Sequence, residues 1–224
     1  MLNRLLSIAD QILFVLPITV ISLTIHEYAH GFVAYKLGDP TAKESGRLTL
    51  NPLAHIDPIG FIMMLVLRFG WARPVPVNPL YFKKPKKGMM LTALAGPLSN
   101  LILAVFSTFL ALFFVYANFY SEIDFLFSLY QFFALMALLN FGLAAFNLIP
   151  VYPFDGSRIL SYFMPNSFSN FTAQYGNYIY IAFFVFIMLT DYVSIAIGYV
   201  QTFCYEIFVF VLKSPAMFLA NLIF

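Results

Sequence analysis

The sequence predicts an all-α polytopic membrane protein, and three observations carry that prediction. Hydrophobic residues make up 62% of the 224 residues and charged ones only 10%, a balance far outside that of soluble domains. The mean hydropathy is +0.86. Several apolar runs reach the roughly 20 residues that a helix needs to cross a bilayer. Together they predict about five or six transmembrane helices, joined by a short re-entrant helix and a small β-strand or hairpin element.

The elements follow in order. After a short amphipathic start, Met1 to Asp10, the run Gln11 to Leu37 is long enough to span, and Gly38-Asp39-Pro40 should end it, since Gly stops helices and Pro cannot continue them. Gly46-Arg47-Leu48-Thr49-Leu50 alternates apolar and polar side chains before the turn signal Asn51-Pro52, which predicts a short strand. Ile59 to Phe69 is apolar but about half a crossing in length, as a re-entrant or partial helix would be. Ala72 to Pro79 reads as a second strand, and its three prolines restrict it to an edge. The lysines at 83, 84, 86 and 87 place their loop in the cytoplasm by the positive-inside rule. Gly88 to Asn118 then runs outward, Ser121 to Asp124 forms an acidic turn, and Phe125 to Ile149 returns. Tyr162 to Ser169 is expected as a surface loop and Tyr175 to Tyr199 as a further span. Thr202 to Phe224, interrupted by Lys213-Ser214-Pro215, is left open between crossing, kinking and lying on the surface.

Residues 1–224 read as one transmembrane domain, with a core over about 11–165 and additional helices over about 175–224. The first apolar run has no signal-peptide cleavage site after it and is expected to stay in the mature protein. A net charge of +2 is too small to argue for nucleic acid. The lone cysteine, Cys204, excludes an intrachain disulfide and argues against thiol chemistry.

One stretch breaks the apolar pattern with chemistry. His26-Glu27-Tyr28-Ala29-His30 is an H-E-x-x-H motif at the end of the run Leu13 to Ile25. On a helix, His26 and His30 share a face and present two imidazoles to one metal, with Glu27 beside it. Ionisable side chains in or beside hydrocarbon are costly, so their presence there points to function. A catalytic zinc takes three protein ligands and keeps a fourth position open. Asp155 is the best third ligand, because Pro153 and Gly156 put it on irregular backbone of the kind tolerated at membrane depth only where it lines a cavity. Asp57, Glu122, Asp124 and Asp191 fit less well.

The pair formed by His26-Glu27-x-x-His30 and Asn147-x-x-Pro150-x-x-Pro153-x-Asp155-Gly156 resembles the site-2 protease family of intramembrane zinc metalloproteases. Ala95-Gly96-Pro97-Leu98-Ser99-Asn100 is similar to that family's G-P-x-x-N segment, so the resemblance covers roughly residues 15 to 165. It implies one zinc per chain held by His26, His30 and Asp155, with Glu27 as catalytic base. It also implies a transmembrane protein as substrate, trimmed first by another protease. Phe154 stands where Leu is common in the family, and no PDZ or CBS domain accompanies the core.

These residues allow metal-assisted hydrolysis, in which Asn100 or Asn147 would donate a hydrogen bond to the developing oxyanion. A helical substrate must unwind before cleavage, and an edge such as Arg47 to Leu50 or Pro74 to Asn78, with Val75 and Val77, would hold it extended by strand addition. His55 caps the re-entrant helix, lines the substrate entrance or assists the metal. Two rival readings are a metal-ion transporter, which would not need Glu27 and would usually show paired halves, and a catalytically silent membrane-binding module, which has no reason to keep it. The lack of a targeting peptide and the small size favour a bacterial inner membrane, with the active site toward the cytoplasm.

Overall fold

The computed structural model describes residues 14–67 and 70–223, so the amphipathic start Met1 to Asp10 lies outside the described residues. The helices are α1 (Leu16–Lys36), α2 (Thr41–Glu44), α3 (Pro58–Leu67), α4 (Pro85–Ser121), α5 (Asp124–Asn147), α6 (Asp155–Phe163), α7 (Asn166–Leu189) and α8 (Tyr192–Ile223). Among the described residues, α4, α5, α7 and α8 are long and apolar enough to cross a membrane. α1 has the length, at 21 residues, but the polar side chains of its second half dilute its apolar character.

Local chemistry explains where the elements begin and end. α1 stops as expected, with Gly38 at φ +106, a left-handed conformation that glycine adopts without strain. α3, a helix of 10 residues, matches the expected partial helix, and Asp57 caps it by accepting Gly60 N–H at 2.8 Å.

The two expected strands do not form. Among the described residues the only β-pairing is an isolated antiparallel bridge between Ile56 and Ala72. Their backbone donors go elsewhere: Arg47 N–H to the Ala42 carbonyl at 2.8 Å, and Val75 and Asn78 N–H to carboxylates. Pro74 and Pro76 have no N–H to offer a ladder.

Two further boundaries differ from expectation. The loop expected over Tyr162 to Ser169 is occupied by the end of α6 and the start of α7, separated by Met164 and Pro165. The span expected over Tyr175 to Tyr199 is broken at Thr190 and Asp191. There the Thr190 hydroxyl and N–H both bond the Phe186 carbonyl and close the last turn of α7. Thr202 to Ile223, left open above, continues α8 through Pro215.

The chain divides into two compact units. One comprises Val20–Ser99 and Phe146–Val193, and it holds the candidate site. The other comprises the residues up to Thr19, Asn100–Ala145 and Ser194–Phe224. In this second unit small residues let helices approach closely. Ala104, Ala137 and Phe141 form a buried cluster, Phe141 stacks on Phe208 with ring centres 5.6 Å apart, and Gln201 lies against Gly142 and donates to the Leu138 carbonyl.

Candidate metal and catalytic site

α1 places His26 and His30 one turn apart on a single face, so their Nε2 atoms meet at 3.0 Å with the rings nearly perpendicular. α6 supplies Asp155, whose Oδ2 lies 3.2 Å from His26 Nε2 and 3.3 Å from His30 Nε2. Asp155 is the first residue of α6, and the helix's N-cap, Phe154, makes no side-chain cap bond. Gly156 allows the preceding turn to fold back, because a Cβ there would overlap the carbonyls of Leu148 and Ile149.

The three atoms fit the zinc that the sequence implies. A tetrahedral zinc with bonds of about 2.0–2.1 Å holds neighbouring ligand atoms about 3.3–3.4 Å apart, close to the observed triangle. Oδ2 of Asp155 is buried and forms a well-directed hydrogen bond to neither imidazole, as expected of a ligand atom rather than a hydrogen-bond acceptor. The tautomer of His30 follows from its other nitrogen. Nδ1 lies 2.7 Å from the Thr92 carbonyl, which can only accept, so Nδ1 carries the proton and Nε2 presents a lone pair.

α4 shapes this arrangement from one side. Thr92 fixes His30, and Gly96, one turn on, lies directly against the pair: a Cβ on Gly96 would overlap His30 Nε2 and His26 Cε1. The Gly96-Pro97 step was visible in the sequence as a motif. Its steric reason was not.

Glu27 has an anchor of its own. One carboxylate oxygen accepts the N–H of Val75 at 2.8 Å. The segment bearing Val75 is pinned on both sides: Arg73 N–H donates to the His55 carbonyl, the Arg47 guanidinium donates to the Arg73 carbonyl, and Asn78 N–H donates to the fully buried Asp39 at 2.7 Å. Burial and the nearby Arg73 charge pull the Arg47 guanidinium below its ordinary pKa while the Glu27 carboxylate pushes it back, and an arginine remains protonated throughout. Sequence reasoning missed Asp39, Arg47 and Thr92, whose partners lie 26 to 62 residues away and leave no local pattern.

The remaining candidates are His55, Val75, Val77, Asn147 and Asn100. His55 is buried, and its Nε2 donates to the Thr49 carbonyl at 2.8 Å, which braces the loop before α3. Val75 is buried, its N–H committed to Glu27 and its side chain packed beside Gly31. Val77 is half-buried on the same segment. Asn147 ends α5 within the site unit, and Asn100 is buried on α4 in the other unit.

Residues 13–190 match the model of Peptidase family M50. The chain belongs to that family. This M50 chain is 46% identical over 166 residues to the Bacillus subtilis protein named "Putative zinc metalloprotease YwhC", an alignment covering 74% of this chain and 76% of that one. It is 30% identical over 154 residues to "Zinc metalloprotease MJ0392" of Methanocaldococcus jannaschii, covering 69% of this chain but 34% of that longer one. No solved structure matches the chain significantly. The site-2 protease resemblance drawn from the motifs therefore holds, and the chain is an integral membrane peptidase of that family.

Proposed function

We propose that this chain is a zinc metallopeptidase that cuts a peptide bond in or near a transmembrane segment of another membrane protein, in regulated intramembrane proteolysis after a first cut by a different protease. The observation that carries the reading is the triangle of His26, His30 and Asp155 with edges of 3.0 to 3.3 Å, beside a glutamate held by a backbone N–H. His26, His30 and Asp155 would hold one zinc. When bound, zinc polarises the scissile carbonyl and lowers the pKa of water toward about 7. Glu27 takes the proton from the attacking water and returns it to the leaving amine. Asn147 or Asn100 donates to the oxyanion as it develops.

The segment from Pro74 to Val77 receives the unwound substrate. Pro74 and Pro76 lack an N–H and that of Val75 is taken, so over residues 74–76 a substrate strand meets acceptors only, and Val77 supplies the next donor. Residues 1–224 act as one catalytic domain in a bacterial inner membrane, with the lysine-rich start of α4 and the site toward the cytoplasm.

A single-span test segment reconstituted with the full chain in vesicles should be cut, lose cleavage on zinc chelation and regain it on adding zinc. Val77→Pro should reduce cleavage about tenfold with zinc retained, the effect of one lost backbone hydrogen bond. Cleavage that survives chelation would remove the metal mechanism, and a Val77→Pro enzyme with wild-type rates would remove strand addition at this segment.

A further inference from the structure

Asp39 is fully buried, and none of the chemistry above uses it. Among the described residues the ion pairs are those of Asp155 with the two histidines, so the Asp39 carboxylate is satisfied by hydrogen bonds instead. A buried carboxylate is costly unless donors reach both of its oxygens, and here they do. Oδ1 accepts the Thr41 N–H at 3.0 Å and the Thr41 hydroxyl, and Oδ2 accepts the Asn78 N–H at 2.7 Å. The backbone of Asp39 is tied to the end of α1, its N–H donating to the Ala34 carbonyl at 3.0 Å. One residue thereby joins the last turn of α1, the start of α2 and the segment that runs to Asn78. An asparagine could not do the same, because it offers one accepting oxygen and its amide nitrogen would face an N–H on the other side.

This joint lies close to the proposed base. Val75, three residues before Asn78, donates its N–H to Glu27 Oε2 at 2.8 Å, and with prolines at 74 and 76 it is the one N–H over residues 74–76. Val75 and Asn78 are separated by at most about 11 Å of extended chain. The segment is therefore fastened at two points, to Glu27 within α1 and to Asp39 just beyond its end. Gly31, one turn after Glu27, lets it lie close: a Cβ there would sit 3.2 Å from Val75 Cγ1 and 3.3 Å from Ala42 Cβ. Before Val75, the Arg47 guanidinium holds the Arg73 carbonyl. Glutamate has three rotatable side-chain bonds, so a fixed donor at Val75 is what selects one direction for its carboxylate.

We propose that Asp39 is a positioning residue for Glu27: through the Asn78 N–H it holds the Val75 N–H in the place from which that group orients the Glu27 carboxylate. The proposal rests on the reading of Glu27 as general base. It adds a residue that acts on the reaction through the backbone of residues 75–78, without a place in the metal triangle.

The test compares Asp39→Ala with wild type in the full zinc-loaded chain, by hydrogen exchange without substrate and by cleavage of the single-span test segment in vesicles. Exchange of the Val75 amide, read at single-residue resolution, should rise at least about tenfold as the segment loosens. The kcat should fall about tenfold, with KM within about threefold and zinc retained, the effect of one lost hydrogen bond to a carboxylate. Asp39→Asn keeps one accepting oxygen and should show the same pattern at smaller amplitude. Thr41→Val removes a different bond to the same carboxylate and should leave exchange and kcat within about twofold of wild type. In a Glu27→Gln background Asp39→Ala should cost less than about twofold, since no base remains to be oriented. Unchanged Val75 exchange, a loss confined to KM, or a tenfold loss that persists in the Glu27→Gln background would each overturn the proposal. Loss of zinc together with rate in both Asp39 variants would assign Asp39 to the fold and overturn it too. A Glu27→Gln enzyme as fast as wild type would instead remove the base, and the proposal with it, while the exchange result would still show what Asp39 holds.

Discussion

Glu27→Gln should lower the cleavage rate by about 10²- to 10⁴-fold while leaving zinc content and thermal stability near those of wild type. That range is what a positioned general base contributes. The substitution is clean because the carbonyl oxygen of the new amide side chain can still accept the Val75 N–H that now binds Glu27 Oε2 at 2.8 Å. The segment from Arg73 to Asn78 then keeps its place, and only the capacity to take a proton is lost. Single-turnover cleavage with zinc measured on the same sample checks it. A variant retaining more than about a tenth of the rate would show that Glu27 is not the base.

Gly96→Ala should separate metal binding from folding in the opposite direction to most glycine substitutions. Alanine is about 1 kcal/mol better than glycine in a helix interior, so α4 itself should not suffer. The added Cβ, however, would overlap His30 Nε2 and His26 Cε1, and Thr92 one turn earlier ties His30 to the same helix at 2.7 Å. The imidazoles can make room only by turning away from Asp155. Zinc affinity should fall at least about 100-fold, the upper end of what a changed supporting contact costs a metal site. Competition with a metal indicator, alongside a thermal melt, reads both effects. Wild-type zinc affinity in Gly96→Ala would mean that the triangle tolerates displacement and is not the metal site.

The parts of this molecule that were legible in the sequence are those with a local period or a local stop. His26 and His30 were visible because one helical turn separates them, and Asp155 because Pro153 and Gly156 mark irregular backbone in an apolar setting. The end of α1 was visible in Gly38 and Pro40. Misread stretches were those whose backbone donors are claimed by partners outside any ladder, the Ala42 carbonyl for Arg47 and carboxylates for Val75 and Asn78. Residues 47–50 and 74–78 alternate like strands, yet Glu27 and Asp39 take the N–H groups of Val75 and Asn78, pairings that no spacing rule announces. The break after Thr190 hid inside an apolar run because one hydroxyl suffices to close the turn. His55 looked available for a metal, but among the described residues the group of three possible ligands that come together is His26, His30 and Asp155.

The central claim is that His26, His30 and Asp155 hold one zinc and leave Glu27 free for proton transfer. Its most direct test is zinc per chain in the detergent-purified protein, compared across wild type, Glu27→Ala and Asp155→Ala. The expected result is about one zinc in wild type and in Glu27→Ala, with a marked loss in Asp155→Ala, because a catalytic zinc is held by three protein ligands. Wild type without zinc, or Asp155→Ala binding it as wild type does, would contradict the site.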